Sequence, residues 1–117
     1  MTIREFYATL GVDSDQLLAR LGNEERIHKY LRKMLDDKSF ELLTESMTRG
    51  DTALAFRAAH TLKGIAANLE FVALLQSSSA LTEALRGDTP DLDGAQALLE
   101  EMRRDYETVI EGIKLVG

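Results

Sequence analysis

The sequence contains no cysteine, no tryptophan and only one proline among its 117 residues. Without cysteine the chain can form no disulfide, no thiolate zinc site and no cysteine nucleophile. Basic residues are outnumbered as well, because 14 Lys and Arg stand against 20 Asp and Glu and leave a net charge of −6. This balance argues against general nucleic-acid binding, since neutralising phosphates requires a basic surface.

Long hydrophobic runs are also missing. The densest apolar cluster, Phe71 to Leu75, is far shorter than the roughly 20 apolar residues that a membrane-spanning helix needs. The first ten residues include Arg4 and Glu5 and no apolar core, so we expect no secretory signal. Hydrophobic residues nevertheless make up 44% of the chain, which is enough for one apolar core at this length. The sequence therefore predicts a single cytoplasmic domain over residues 1–117, bound to neither membrane nor nucleic acid.

Helical periodicity dominates what is present. Four glycines each follow an amphipathic stretch, as is typical at the end of a helix: Gly11, Gly22, Gly50 and Gly87. Thr89 and Pro90 resemble a helix start, and apolar residues then recur every three or four positions, which is typical of one face of a long helix. These residues are Leu92, Ala95, Leu99, Met102, Tyr106, Val109, Ile113 and Val116. Because no segment alternates apolar and polar residues as a strand would, we predict an all-α fold.

The predicted helices could be arranged in two ways. A coiled-coil dimer could use the same stripes, because an apolar stripe does not show what it faces. Short connections and stripes of matched length favour an antiparallel four-helix bundle within one chain, over residues 23–117, with a kink near residues 36–39. Two short flanking helices are predicted within residues 1–22, at about 3–10 and 14–21. A self-contained bundle of this kind predicts a monomer.

The segment from Asp51 to Leu69 predicts the helix that carries the chemistry. Its apolar side falls within a sector of about 80°, at 100° per residue, and consists of Leu54, Ala58, Leu62, Ile65 and Leu69. His60 projects about 200° from the middle of this stripe and therefore away from the core. The other side chains expected on that outer side are Phe56, Lys63, Gly64 and Ala67.

This outer side has features that do not serve the stability of a helix. Gly64 costs about 1 kcal/mol relative to alanine inside a helix, so its presence needs another reason. Phe56 beside alanines makes a flat, partly apolar surface on which a partner could come close to the imidazole. Alternatively, Phe56 lies against a neighbouring helix. An exposed imidazole is nucleophilic near neutral pH, and Lys63 places a cation one turn away. Together these features suit a phosphoryl group carried on His60.

Residues 60–64, His-Thr-Leu-Lys-Gly, followed by Ala-Ala-Asn-Leu at 66–69, resemble the signature of histidine phosphotransfer (HPt) domains. The preceding Ala-Ala at 58–59 and Arg-Gly-Asp at 49–51 fit the same pattern. The resemblance extends from about Leu17 to Met102, although outside the motif it consists only of a pattern of helices and turns. The H-x-x-K-G core is short, but its position on an outward helix face makes it more specific.

The resemblance implies a four-helix bundle whose exposed histidine accepts a phosphoryl group from the aspartyl phosphate of a receiver domain and passes it to another receiver. A hybrid histidine kinase would stand upstream, and magnesium would belong to the receiver, so we expect neither a metal nor a cofactor here. Carried over to this sequence, His60 is phosphorylated, Lys63 steadies the phosphoryl oxygens and Gly64 provides clearance for the partner. The expected contacts with the partner are Phe56, Arg57 and Ala67.

Three departures from the family pattern lie in or near this motif. Ile65 replaces a residue that is often small in the family, although the helical wheel places it in the core. The family often has glycine directly after the position of Leu69, where this chain has Glu70, so the helix either continues or is capped differently. Some members carry a glutamine on the next helix near the site. Here that role falls to Ser78, Ser79 or Thr82, or is missing.

Two other classes of protein could carry a histidine on a helix of this kind. The dimerisation domain of a histidine kinase also bears its histidine on a helix, but an acidic residue generally follows that histidine, and Thr61 follows His60 here. The chain also lacks a glycine-rich phosphate loop, so we expect a phosphoryl carrier without intrinsic kinase activity. The phosphorylatable domain of a chemotaxis-type kinase has a similar helix and remains an alternative, as does a helical adaptor that is never phosphorylated. His28 lacks comparable neighbours, and we interpret it as an ordinary surface residue.

Overall fold

The computed structural model describes residues 1–117 as seven α-helices without a strand. The helices are α1 (Ile3–Thr9), α2 (Ser14–Leu21), α3 (Glu24–Asp36), α4 (Ser39–Arg49), α5 (Thr52–Asn68), α6 (Val72–Ala84) and α7 (Leu92–Lys114). Helices hold 79% of the chain, which confirms the all-α prediction. None of them is both long and apolar enough to cross a membrane.

Polar side chains begin most of these helices. The carboxylate or amide oxygens of Asp13, Asn23, Asp51 and Asp91 accept a backbone N–H from the first turn of α2, α3, α5 and α7. Such caps satisfy N–H groups that no carbonyl inside the helix can reach. The last helix begins at Leu92 behind Asp91, slightly later than Thr89 and Pro90 predict, because the aspartate supplies the cap.

Helices that follow one another along the chain pack side by side. The most extensive packing joins α4 to α5, α5 to α6 and α6 to α7, while α3 lies against α7 and closes the bundle. The two-residue break between α3 and α4, at Asp37 and Lys38, lies where the sequence predicts a kink. The resulting body is elongated, measuring 43 × 21 × 21 Å.

The core is a single cluster of 25 buried apolar residues drawn from all seven helices. On α7, the predicted stripe is buried at Ala95, Leu99, Met102, Val109 and Ile113 and half-buried at Leu92 and Tyr106. Its last position, Val116, is also half-buried but follows the end of the helix. The N-terminal helix α1 also reaches this core, because Phe6 and Tyr7 are fully buried. Their rings lie 6.0 Å and 5.7 Å from the ring of Phe71, measured between centroids.

The end of α5 explains what Glu70 does in place of the glycine of the family pattern. The N–H of Phe71 donates to the carbonyl of Ala66 (2.9 Å), and the N–H of Glu70 donates to that of Ala67 (3.3 Å). This pair of bonds is a Schellman motif, whose turn requires a left-handed residue. Glu70 adopts that conformation, with φ of 58°. The helix therefore ends at the position expected for a glycine, and Glu70 takes the left-handed conformation itself.

Candidate functional site

His60 lies near the middle of α5, and its side chain is exposed, as the sequence predicts. The helix is fixed at its start by Asp51, whose carboxylate accepts the N–H of Leu54 at 3.1 Å. His60 lines none of the five best-defined cavities. Sites for small molecules are usually concave, so an imidazole on an open helix face is better placed to meet another macromolecule.

The buried side of α5 differs from the predicted one. Leu54 and Ile65, which the sequence places in the core, are only half-buried, whereas three alanines outside the predicted stripe are fully buried: Ala55, Ala59 and Ala66. The reason is that α5 packs against both α4 and α6. Small side chains then fill the close approach between helices, while the larger ones lie at the edges.

Phe56 is half-buried and does not simply project into solvent. Its ring stacks on the imidazole of His60, with centroids 6.1 Å apart and planes inclined by 4°. The guanidinium carbon of Arg86, at the end of α6, lies 5.1 Å from the centroid of the Phe56 ring. Phe56 therefore connects the histidine on α5 to a cation from the neighbouring helix.

Three cationic side chains surround this part of α5. Arg57 is exposed and Lys63 is half-buried, and Arg86 donates two hydrogen bonds, of 3.2 Å and 2.9 Å, to the carboxylate of Glu83. These bonds and the charge of Arg86 hold the pKa of Glu83 below its usual value, and the charge of Lys63 lowers it further. Glu83 thus lies within the electrostatic reach of both cations.

Sequence reasoning missed Glu83 and Arg86. Their spacing of three residues at the end of α6 predicts an ion pair, but it does not indicate that the pair lies beside Phe56. That contact depends on how α6 packs against α5, which is a property of the folded bundle.

The backbone after His60 is open to the outside. Gly64 and Ala67 are both exposed, and a Cβ added at Gly64 would have no neighbour within 4 Å. Packing inside this chain therefore gives no reason for glycine at this position. The open space is available to an external partner.

Some members of the family pattern have a glutamine near the site, and two of the three α6 residues that could replace it here lie in the core. Ser78 and Thr82 are fully buried, and their hydroxyls donate to carbonyls of their own helix, at Leu74 (2.6 Å) and Ser78 (2.7 Å). Of the three, only Ser79 keeps partial exposure.

His28, predicted to be an ordinary surface residue, is half-buried on α3. No group of three or more His, Asp or Glu residues is arranged to hold a metal ion.

Comparison with known proteins places the chain in a family. The model of the Hpt domain matches residues 13–112, a segment that contains α2 to α6, most of α7 and His60. No curated protein and no solved structure matched the chain. Since the match covers most of the sequence, the chain belongs to the Hpt domain family, whose members are phosphoryl carriers in phosphorelays.

Proposed function

We propose that this protein relays phosphoryl groups between the aspartates of receiver domains through His60. The observation that carries the proposal is an exposed imidazole on an open helix face, with Lys63 and an unobstructed Gly64 one turn away. In the transfer, the lone pair of a ring nitrogen forms the P–N bond while the P–O bond to the aspartyl carboxylate breaks. The bonding electrons leave with the carboxylate, and the imidazolium then releases a proton to solvent.

The neighbouring residues have separate proposed roles. Lys63 steadies the phosphoryl oxygens, Gly64 leaves room for the backbone of the receiver, and the receiver rests on Phe56, Arg57 and Ala67. The chain supplies no metal, because the magnesium ion that neutralises the transferring group belongs to the receiver. The protein acts without intrinsic kinase activity, downstream of a hybrid histidine kinase.

Local charge supports such a partner even though the whole chain is acidic. The net charge is −6, yet Arg57 and Lys63 lie on the same helix as the histidine, within one turn of it. A local cationic surface attracts the acidic pocket of a receiver and raises the association rate. The complex is transient, so a small interface is sufficient.

The proposed organisation follows the same reasoning. Residues 23–117 form one antiparallel four-helix bundle in which α3 and α4 together act as a single kinked helix, beside α5, α6 and α7. Residues 1–22 flank that bundle within the same domain, and the protein works as a cytoplasmic monomer. Size-exclusion chromatography with light scattering tests the monomer.

The phosphoryl acceptor can be identified because the chain has only two histidines. Radiolabelled phospho-receiver domains are mixed with wild type, with His60→Gln and with the matched control His28→Gln. We expect acid-labile, base-stable label on wild type and on His28→Gln, and none on His60→Gln. Label on His60→Gln would contradict the assignment. Equal binding of receivers by all three proteins without any label would instead support the adaptor.

A further inference from the structure

The imidazole of His60 is the exposed end of a chain of contacts that crosses two helices. The carboxylate of Glu83 holds the guanidinium of Arg86 by two hydrogen bonds. The guanidinium lies over the ring of Phe56, and that ring is stacked on the imidazole. Only the last of these side chains has a role in the transfer chemistry proposed above.

We infer that Phe56 and Arg86 are positioning residues, which hold the His60 imidazole in the orientation needed for in-line attack on phosphorus. The inference rests on the proposed phosphotransfer function and adds to it the device that orients the nucleophile. Phe56 restricts the His60 imidazole directly. Arg86 acts through Phe56, and Glu83 keeps Arg86 in place.

The physical need for such a device follows from the exposure of His60. A side chain on an open helix face samples several rotamers, and only some of them aim a ring nitrogen at an incoming phosphoryl group. Transfer is fast when the reacting atoms are held in a near-attack geometry, because orientation is then fixed before the reaction. Nearly parallel, offset aromatic rings attract each other, so the Phe56 ring favours the rotamers in which the imidazole lies against it.

Arg86 restricts Phe56 in turn. A guanidinium above an aromatic face is attracted by the electrons of the ring, and two hydrogen bonds to one carboxylate fix its direction. Since Arg86 and Glu83 belong to the end of α6 and its first following residues, the imidazole on α5 is oriented by a second helix.

The same arrangement occurs a second time in the molecule and supplies a matched control. On α7 the guanidinium of Arg103 lies 5.3 Å from the centroid of the Phe40 ring, and it pairs with Glu100 at 3.4 Å. The spacing of Glu and Arg is again three residues. The ring of Phe40, however, stacks on Tyr106 and not on a histidine. Arg103→Met therefore removes the same chemistry at a place where it can orient no nucleophile.

The decisive experiment measures the rate of label transfer from a phospho-receiver at increasing receiver concentration. For Arg86→Met we expect the maximal rate to fall about threefold, and for Phe56→Leu about tenfold, since misorientation reduces the rate of the bound complex. The half-saturating receiver concentration for Arg86→Met should stay within about twofold of wild type. Arg103→Met should match wild type in its maximal rate. Phe56→Tyr keeps an aromatic ring and should therefore have a maximal rate close to that of wild type. An unchanged maximal rate with a higher half-saturating concentration for Arg86→Met would overturn the inference, because Arg86 would then be a docking contact.

A small phosphodonor separates orientation from the intrinsic reactivity of the ring. Phosphoramidate can approach a freely rotating imidazole from any side, so its reaction with His60 should be the same in Arg86→Met and wild type. An equal loss of rate with phosphoramidate and with the receiver would contradict a positioning role.

Proton NMR of the free protein tests the stack without any receiver. The two histidines give separate ring signals, which His28→Gln assigns, and the ring current of Phe56 should displace those of His60. We expect these signals to move in Phe56→Leu and to stay in Arg103→Met. If they do not move in Phe56→Leu, the stack is absent in solution and the inference fails. If wild type accepts no label at all, the proposed function fails, and the NMR result still shows whether the stack exists.

Discussion

Glu70 has a left-handed backbone that glycine would adopt without steric cost. For other residues this conformation costs roughly 1–2 kcal/mol, because Cβ approaches a backbone carbonyl oxygen. Its carboxylate is also poorly accommodated, since Oε2 is buried without a hydrogen-bond partner. Glu70 therefore lowers the stability of the fold in two ways, through its left-handed backbone and through its buried carboxylate oxygen.

Replacing Glu70 by glycine should stabilise the protein. We expect Glu70→Gly to raise the free energy of unfolding by about 1 kcal/mol, because the turn loses its strain and the buried oxygen disappears. Urea unfolding gives the value. Glu70→Ala is the control, since it removes the carboxylate but keeps Cβ in the left-handed turn, and it should gain less. A glycine variant less stable than the alanine variant would show that the turn is not strained.

At the scale of single residues, spacing alone predicted the exposed imidazole and the small residues beside it. The exposure of His60, Gly64 and Ala67 follows from the period of an α-helix and needs no knowledge of neighbouring helices. The same period could not decide whether Phe56 faces a partner or lies against a neighbouring helix, and the structure shows it half-buried. Its environment includes Arg86, which is thirty positions away in the sequence and follows the end of another helix.

Gly64 and Gly112 both lie inside helices but have opposite surroundings. Gly64 on α5 has open space where a Cβ would project, whereas a Cβ added at Gly112 on α7 would collide with the ring of Phe6. Gly112 therefore allows α1 to pack closely on α7. Gly64 has no such structural reason, and the proposed clearance for a receiver explains it instead.

Alanine at these two positions should change stability in opposite directions. We expect Gly64→Ala to raise the free energy of unfolding by up to about 1 kcal/mol, through helix propensity. Gly112→Ala should lower it by about 1–2 kcal/mol, through overpacking against Phe6. Thermal and urea unfolding of the two variants side by side measure both effects. If Gly64 provides clearance for a receiver, Gly64→Ala should also accept label from a receiver more slowly than wild type. An unchanged transfer rate would contradict that role.

At the scale of elements, periodicity located the helices better than it located their buried faces. The α7 stripe was predicted well because a long helix with large apolar residues has a clear period. On α5 the buried positions include several alanines, which carry little hydrophobic signal. They are buried because α4 and α6 approach from two sides, and that approach cannot be read from α5 alone.

Over the whole molecule, Tyr7 joins the N-terminal helix to the end of α5. Its hydroxyl donates to the carbonyl of Leu69 at 2.8 Å inside the core. Burial raises the pKa of the Tyr7 phenol, and the charge of Glu70 raises it further. Burial also raises the pKa of Tyr106, with Asp37 and Glu41 adding to the effect.

These shifts predict a loss of stability in alkaline solution. Above pH 10 the phenols of the unfolded chain ionise while the folded chain keeps Tyr7 protonated. The unfolded state then binds fewer protons, so the free energy of unfolding falls as pH rises. The contribution of the Tyr7 phenol to the free energy of unfolding is complete below the pKa that the phenol has in the unfolded chain. It is lost as the pH rises towards the higher pKa that the phenol has in the folded chain.

Tyr7→Phe tests this linkage. At neutral pH we expect it to lower the free energy of unfolding by about 1 kcal/mol, through the lost hydrogen bond. Between about pH 9 and 11, wild type should lose about 1 kcal/mol more than the variant, because the variant keeps the shifted Tyr106 phenol but lacks that of Tyr7. Urea unfolding over this pH range measures both curves. Parallel curves would show that Tyr7 titrates equally in the folded and unfolded states.

The whole-molecule packing was the least predictable level. The sequence predicts two short helices in residues 1–22, but the burial of Phe6 against Gly112 joins positions more than a hundred residues apart. Such a contact has no local signal, because a glycine near the end of a helix more often indicates its end. Chain length and composition predicted one core, and only the structure shows which residues of α1 complete it.

The central claim is that His60 both accepts and returns a phosphoryl group. The most direct measurement starts from protein already labelled on His60, freed of its donor, and adds an unphosphorylated receiver domain with Mg²⁺. We predict that the label moves to the receiver aspartate much faster than it is lost as inorganic phosphate from the labelled protein alone. A receiver whose acceptor aspartate is replaced by asparagine should take none. Label that stays on His60, or leaves only as inorganic phosphate at the same rate with and without the receiver, would contradict the claim.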